Sequence, residues 1–470
     1  MSIPRRRRPR AAALTALVLV ASLAACSSGD GGGGGGGGDG EGDSIKVWIE
    51  EDLPERVAQT QKIVDAFTEE TGTEVELVAV AEDQFNQLLT SSAAAGDLPD
   101  VIGGVPLGQV RTLSTNELLD TDATAALLEE LDEATFSESA LELTREGDTQ
   151  LAIPSESWTQ LLVYRKDLFE AAGLEAPTSY DAILDAAREL DSPEVAGFVG
   201  ANIAGDAFTE QTFEHLALGN GCELVDDGGE VALDSPECVE ALEFYGELQQ
   251  NYSVSGGQDV DTTRASYFAG QAAMIIWSTF ILDEMAGLRE DAKPTCPQCL
   301  QDPAFLSTNS GVVTSIEGPS GSEPATFGEI TSWVLTAGSA TDPASEFVRY
   351  MMTDGYEPWI AIAPEGKVPV RVGDSAGSTN YTDAWAAMPV GVDTKAPLSE
   401  AYDQEVLDAL SNGPEELARW ALPQGQGDLL GALQGEKPVA TAVNDVSSGV
   451  DAEEAATKAA EVARAAQGSL

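Results

Sequence analysis

The side chains able to do chemistry in this chain fall into two unequal groups: five cysteines at informative spacings and 80 carboxylates with little visible organisation. Cys222 and Cys238 bracket a turn-rich loop, Glu223 to Glu237, and a bridge between them would contribute roughly 3 kcal/mol by restricting the unfolded chain. Cys296-Pro297-Gln298-Cys299 is a C-x-x-C pair, compatible with a structural staple, a redox centre or half of a zinc site. The other two cysteines of the body are about 60 residues away in sequence, which favours the staple and leaves no metal or cofactor expected. The single histidine, His215, falls in a predicted helix near Phe213 and Leu216, a structural setting. No serine or cysteine has a recognisable base beside it, so nucleophilic catalysis has no candidate.

Cys26 follows Leu23-Ala24-Ala25 at the end of an apolar run from Ala11 to about Ala21, itself preceded by Arg5, Arg6, Arg7, Arg8 and Arg10. A basic start, a short apolar run and small residues at the cut make an export signal over residues 1–25. The run is shorter than the roughly 20 apolar residues that span a bilayer. The arrangement resembles a bacterial lipobox, in which Cys26 becomes the acylated N-terminus and anchors the protein to the membrane; an ordinary cleaved signal is the alternative. Residues 26–43 are almost entirely Gly, Ser, Asp and Glu, which bury too little to order themselves and read as a flexible linker.

Charge narrows the partners. The formal net charge is −56, and removal of the five signal arginines takes it to about −61. Phosphate recognition needs a basic face, so nucleic acid is excluded. Acids are scattered among an ordinary 43 % of hydrophobic residues, so disorder is expected only in the linker and the last fifteen residues. A high-salt habitat, in which self-repulsion is screened, accounts for such acidity; a merely acidic secreted protein is the alternative.

The elements that must position any site follow from periodicity. Ile45 to Ile49 reads as a strand, Arg56 to Thr71 as a helix with Val57, Ile63, Val64 and Phe67 on one face, and Glu74 to Val80 as a second strand. Gln84 to Ala95 is helical, and a third strand begins at Asp100 to Gly103. This order predicts a parallel, helix-covered sheet whose ligands sit beyond the strand ends, at Trp48 to Asp52 and Gly103 to Pro106. Gln160 to Tyr164 reads as a short strand, Lys166 to Ala172 and Ser179 to Leu190 as helices, Ala272 to Trp277 as a buried strand, and Glu329 to Thr336 as a strand before the helix Ala344 to Met352.

Several segments, in order, resemble the extracellular solute-binding proteins of ATP-driven sugar importers, of the maltose-binding type. They are Ala93 to Ile102 (A-x-G-x-x-P-D-V/I), Val163 to Phe169 with Ala172-Gly173-Leu174, Phe268 to Met274 (F-x-x-G-x-A-A-M), Trp333 before Ala344 to Met352, and Gly366 to Arg371 (G-x-x-P-x-R). The resemblance implies an α/β, two-lobed periplasmic-binding-protein-like (type II) fold with helix-covered sheets and a hinge of crossing strands. Lobe 1 would span residues 44–153 and 327–363, and lobe 2 residues 154–326 and 364–470. It further implies a monomer that closes over a carbohydrate and is read by the permease subunits of an ABC transporter.

A sugar offers apolar faces and a hydroxyl rim, so its site needs flat rings and fixed acceptors. Where the resemblance puts the cleft, the candidates are Trp48, Trp158, Trp277, Trp333 and Phe280 for the faces. For the rim they are Glu50, Glu51, Asp52, Glu156 and Gln160, with Arg371 as a donor or an internal ion-pair partner. Two other readings stay open: an importer component for a cationic or zwitterionic osmolyte held in an aromatic cage, and an extracellular glycan hydrolase, which would need a positioned carboxylate pair that the sequence does not single out.

Overall fold

The structure, a computed structural model, describes residues 44–412 and 417–470. The expected signal, Cys26 and the whole of the linker lie outside the described residues. The main sheet is built from β1 (Ser44–Glu50), β2 (Glu74–Val80), β3 (Val101–Pro106), β4 (Ile153–Arg165), β5 (Met274–Ser278), β6 (Ser310–Val313), β7 (Thr326–Leu335), β8 (Val368–Pro369) and β9 (Leu417–Ala418).

Alternation along β1 decides the first layer. Val47 and Ile49 face the Pro54–Thr71 helix, where they pack with Ile63, Val64 and Phe67. Trp48 points the other way, onto Phe85 and Leu89 of the Glu82–Ala95 helix. Both faces of the β2-β1-β3 sheet are thus covered, and β1 runs parallel to both neighbours, as the β-α-β-α-β reading predicts. Pro54 starts the first helix at its first turn, and Gly72, in the left-handed region at φ 82°, ends it by donating its N–H to the Thr68 carbonyl.

Two strands serve both ends of the molecule. Strand β4 extends over 13 residues, far beyond the Gln160–Tyr164 core read from the sequence. Its first half pairs antiparallel with β7 and, at Glu156 and Ser157, with β8; its second half pairs with β5 and β6. Strand β7 in turn pairs with β9 at Thr326 and Phe327, with β4 in the middle and with β3 through Leu335. The polar run Ser155-Glu156-Ser157 concealed this strand from a reading by hydropathy. It is buried because neighbours on both edges satisfy its backbone.

One core gathers Phe67, Trp333, Phe347 and Trp359; a second gathers Phe213, Tyr245, Phe327 and Trp420. The second core corrects one expectation. The last fifteen residues, expected to be disordered, belong for the most part to a helix, Ala452–Gln467, capped by Asp451, whose carboxylate accepts from the Glu453 and Glu454 amides; it buries Ala455, Ala456, Ala459, Ala460 and Ala463. Small residues allow close approach, which a hydropathy scan undervalues. Both expected cysteine pairs are bridged, Cys222 to Cys238 and Cys296 to Cys299. His215 is fully buried, its Nδ1 accepting from the Phe327 amide at 3.3 Å, and burial pushes its pKa down to about 3.

Candidate ligand-binding site

Phe280 follows the end of β5 and is half-buried, with its ring lying over Gly366. A Cβ on Gly366 would stand 1.9 Å from the ring, so only glycine admits this contact. Gly366 ends a short turn, Pro364–Gly366, that leads into β8. The same turn sets Glu365 beside the helix Ile281–Met285, which carries Asp283 and Glu284. From the other side comes the loop after β1. There the Glu51 carboxylate accepts from the amides of Asp52 (3.0 Å) and Leu53 (2.9 Å), fixing the loop ahead of Pro54. Arg56, in the first turn of the helix, reaches across so that its guanidinium lies 5.7 Å from the Phe280 ring centroid.

The charges around Phe280 are poorly matched. Arg56 sits 3.4 Å from Glu51 Oε2 and 3.4 Å from Glu365 Oε1, longer than the 2.7–2.9 Å typical of charge-assisted hydrogen bonds, and its Nε has no partner. Asp283 is fully buried with neither carboxylate oxygen bonded, and Glu365 Oε2 is also unbonded. Burial pushes the Asp283 carboxyl up to about 8, with the adjoining Glu365 charge adding to it. Burial likewise raises Glu365 against the pull of Arg56. Glu284 is better served, by Arg264 at 2.9 Å and Arg289 at 3.3 Å, although burial still raises it to about 7. Beside Arg56 opens a cavity of about 100 Å³ lined by Leu53, Gln59, Ile362, Val392 and Lys395. A half-buried ring, several acceptors without donors and a void beside Arg56 form a place that can receive a ligand. A wider depression on the last helix, about 600 Å³ around Glu436, Lys458 and Val462, offers no aromatic ring.

The profile of the family described as bacterial extracellular solute-binding protein matches residues 51–358. The chain belongs to that family. The solute-binding protein is also 30 % identical to the putative ABC transporter periplasmic-binding protein YcjN of Escherichia coli K12 over 325 residues, 67 % of this chain and 70 % of that one. Solved structures share its two-lobed fold. The GacH receptor of Streptomyces glaucescens, solved unliganded and with acarbose, matches at TM-score 0.67 and 19 % identity over 90 % of this chain and 98 % of that one. A sugar transporter protein from Arthrobacter chlorophenolicus with bound laminaribiose matches at 0.67 and 21 %, over 90 % and 99 %. The cyclic α-maltosyl-1,6-maltose binding protein of Arthrobacter globiformis matches at 0.67 and 19 %, also over 90 % and 99 %.

Within this solute-binding protein the residues singled out from sequence take three kinds of place. Glu51 and Phe280 come together through Arg56. Asp52 is exposed in the same loop, and Glu50 accepts from Gln109 Nε2 at 3.0 Å. Along β4, Glu156 is buried and fully engaged, by Trp359 Nε1 at 2.9 Å and Lys367 Nζ at 2.6 Å. Trp158 is half-buried against Phe327, with ring centroids 6.0 Å apart. Gln160 is fully buried with both amide atoms unbonded. The remaining four have structural surroundings. Trp48 is buried among Phe85, Leu89 and Ile102. Trp333 lies on Gly103 between Phe347 and Trp359. Trp277 is 6 % exposed, packs on Phe208 and donates to the Val260 carbonyl at 3.1 Å. Arg371 is buried and donates to Thr135 Oγ1 and to the carbonyls of Leu131 and Met352, joining three segments of backbone.

Arg56, Asp283 and Glu365 escaped the sequence reading. Scarcity of cations, 24 basic against 80 acidic side chains, is a signal that could have marked Arg56. Glu365 adjoins the G-x-x-P-x-R segment. Asp283 had no mark to separate it from 79 other acids.

Proposed function

We propose that this protein is the substrate-binding lipoprotein of an ABC importer, capturing a mono- or oligosaccharide in an interlobe cleft and delivering it to permease subunits in the membrane. The observation that carries the reading is the Phe280 niche, where an aromatic face and unbonded carboxylates from separate segments converge. A pyranose needs that pairing of a flat apolar contact with fixed acceptors. The sugars named for the structural neighbours GacH, laminaribiose-bound and cyclic maltosyl-maltose proteins support it.

In this reading Phe280 stacks on the sugar and Glu51 accepts its hydroxyls, with Glu50 and Asp52 at the loop edge and Trp158 and Gln160 farther along β4. Glu156 holds the crossing strands through Lys367. Residues 44–153 with 327–363, and 154–326 with 364–470, act as the two lobes, and ligand contacts to both favour the closed form by differential affinity. The protein is a monomer without enzymatic activity, held outside the cytoplasm by a lipid on Cys26, and its acidity suits it to high salt.

The test is a thermal-shift panel of mono- and oligosaccharides beside betaine and choline in molar salt, with calorimetry on each hit. Stabilisation by sugars supports the reading; stabilisation by the quaternary amines alone, or new reducing ends appearing from oligosaccharides, rejects it. For the anchor, Cys26→Ala should abolish incorporation of a palmitate analogue and release the protein from membranes.

A further inference from the structure

We propose that the Phe280 face is a cation subsite, occupied in this structure by the chain's own Arg56, and that the carbohydrate carried by this protein places an ammonium group there. The inference rests on the carbohydrate reading and specifies its chemistry.

Any ligand that stacks on this ring must first displace an arginine. Phe280 is half-buried, and the Arg56 guanidinium stands 5.7 Å from its centroid, in the place a stacking sugar would take. Arg56 is loosely held, by two contacts at 3.4 Å with an unbonded Nε, and the cavity lined by Leu53, Gln59, Ile362 and Val392 borders it and could receive the displaced side chain. Displacement by a neutral ring would strip the only guanidinium that bonds Glu51 or Glu365 among the described residues. Unpaired buried carboxylates cost several kcal/mol, so a neutral ligand would have to bring a proton with it. An ammonium ligand exchanges charge for charge. It also keeps a positive charge against the ring and within electrostatic range of Asp283 and Glu365, whose Oδ1, Oδ2 and Oε2 have no bonded donor.

The surroundings leave few substitutes for Arg56. From the loop after β1 and the first helix come Glu51, Glu55 and Arg56; from the helix Ile281–Met285 come Asp283 and Glu284; from the turn comes Glu365. Arg264 and Arg289 face this group but are bonded to Glu284 and to Asp261 and Asp291, respectively. The Tyr402 hydroxyl donates to the Leu282 carbonyl. Besides Arg56, the cations within electrostatic range of Glu365 are Arg289 and Lys395, the latter on the cavity wall.

The experiment compares sugars that differ only in one substituent. Glucosamine, glucose and N-acetylglucosamine, with their α- and β-linked dimers, are titrated calorimetrically into the full chain in molar salt, each in two buffers of different ionisation enthalpy. The amine member should bind at least tenfold tighter than its hydroxyl twin and without proton uptake. Asp283→Asn should erase that preference, and Arg56→Gln should tighten amine binding severalfold. Tighter or equal binding of the hydroxyl or acetamido twin, with protons taken up, overturns the cation subsite and leaves carbohydrate capture standing. The subsite is overturned equally if Asp283→Asn and Arg56→Gln, each folded by circular dichroism, leave the preference unmoved. Failure of every saccharide to bind overturns both the subsite and carbohydrate capture.

Discussion

Arg419 lies 2.6 Å from Glu329 in a position with no useful access to solvent, and the pair ties the C-terminal part of the chain to the middle of β7. The same guanidinium reaches Glu214 at 3.3 Å and lies over the Phe327 ring at 4.8 Å, while Glu329 Oε1 accepts from the Leu107 amide. Three distant segments therefore meet on one cation, and a fourth joins them through Glu329. Removing it leaves two buried carboxylates facing each other, the costly way to break such a group. Arg419→Met should lower stability by about 3–5 kcal/mol in urea unfolding, and adding Glu214→Gln and Glu329→Gln should restore a substantial part. A loss below about 1 kcal/mol would mean that the cluster is better hydrated than its burial implies.

The disulfides should contribute unequally. Chain-entropy reasoning assigns about 3 kcal/mol to the 16-residue separation of Cys222 and Cys238 and about 2 kcal/mol to the three-residue separation of Cys296 and Cys299. Paired alanine replacements, compared by urea midpoints under oxidising conditions, should rank in that order. The reverse ranking would point to a role for Cys296–Cys299 beyond stapling.

Stability should fall as pH rises from acid through neutral. Asp283, raised to about 8, Glu284, raised to about 7, and Glu365, raised by burial, hold protons in the folded state that the unfolded chain has already released. Their contribution is complete below the ordinary carboxylate range and is lost as pH climbs through the folded values. Asp234, Asp259, Asp291 and Asp403 act oppositely, because hydrogen bonds lower them, and their contribution is lost only in strong acid. Between about pH 5 and 9 the first group should dominate, so the melting temperature falls with pH, and Asp283→Asn should flatten that fall. An unchanged slope in Asp283→Asn would place the titrating group elsewhere.

How far the sequence could be read depended on the range of the interactions. The first three strands and two helices were readable because alternation and turn residues act within a few positions, and β2 was bounded correctly at Glu74 and Val80. The extent of β4 was not, since Ser155, Glu156 and Ser157 are buried by partners about 170 and 210 residues later in the chain. The Phe280 niche was half-readable. Phe280 and Glu51 stand at strand ends, where open sheets place ligands. Arg56, Asp283 and Glu365 acquire meaning only from one another, and no local pattern records that they meet.

Trp277 separates stability from binding. Its ring is buried against Phe208 and its indole N–H is spent on the Val260 carbonyl, so truncation opens a core cavity. Trp277→Ala should cost about 3–5 kcal/mol in unfolding free energy. Phe280→Ala should cost less stability and weaken saccharide binding by about 1–3 kcal/mol. If the folded Trp277 variant instead lost affinity at near-normal stability, the site would lie on its side of β5.

Gly366 offers the sharpest check on where the ligand sits, because its effect must pass through Phe280. The Gly366 backbone is not in the left-handed region, so alanine is tolerable there as far as the chain is concerned; the obstacle is the phenyl ring 1.9 Å from the new methyl group. The ring must swing away, and a stacking surface is lost without deletion of any group that bonds a sugar. Gly366→Ala should therefore weaken binding by about 1–3 kcal/mol, matching Phe280→Ala. The double variant should be no weaker than either single one, because both remove the same contact. Additive losses in that cycle would show that Gly366 acts through the adjoining strand β8, and the ring would lose its place as the platform.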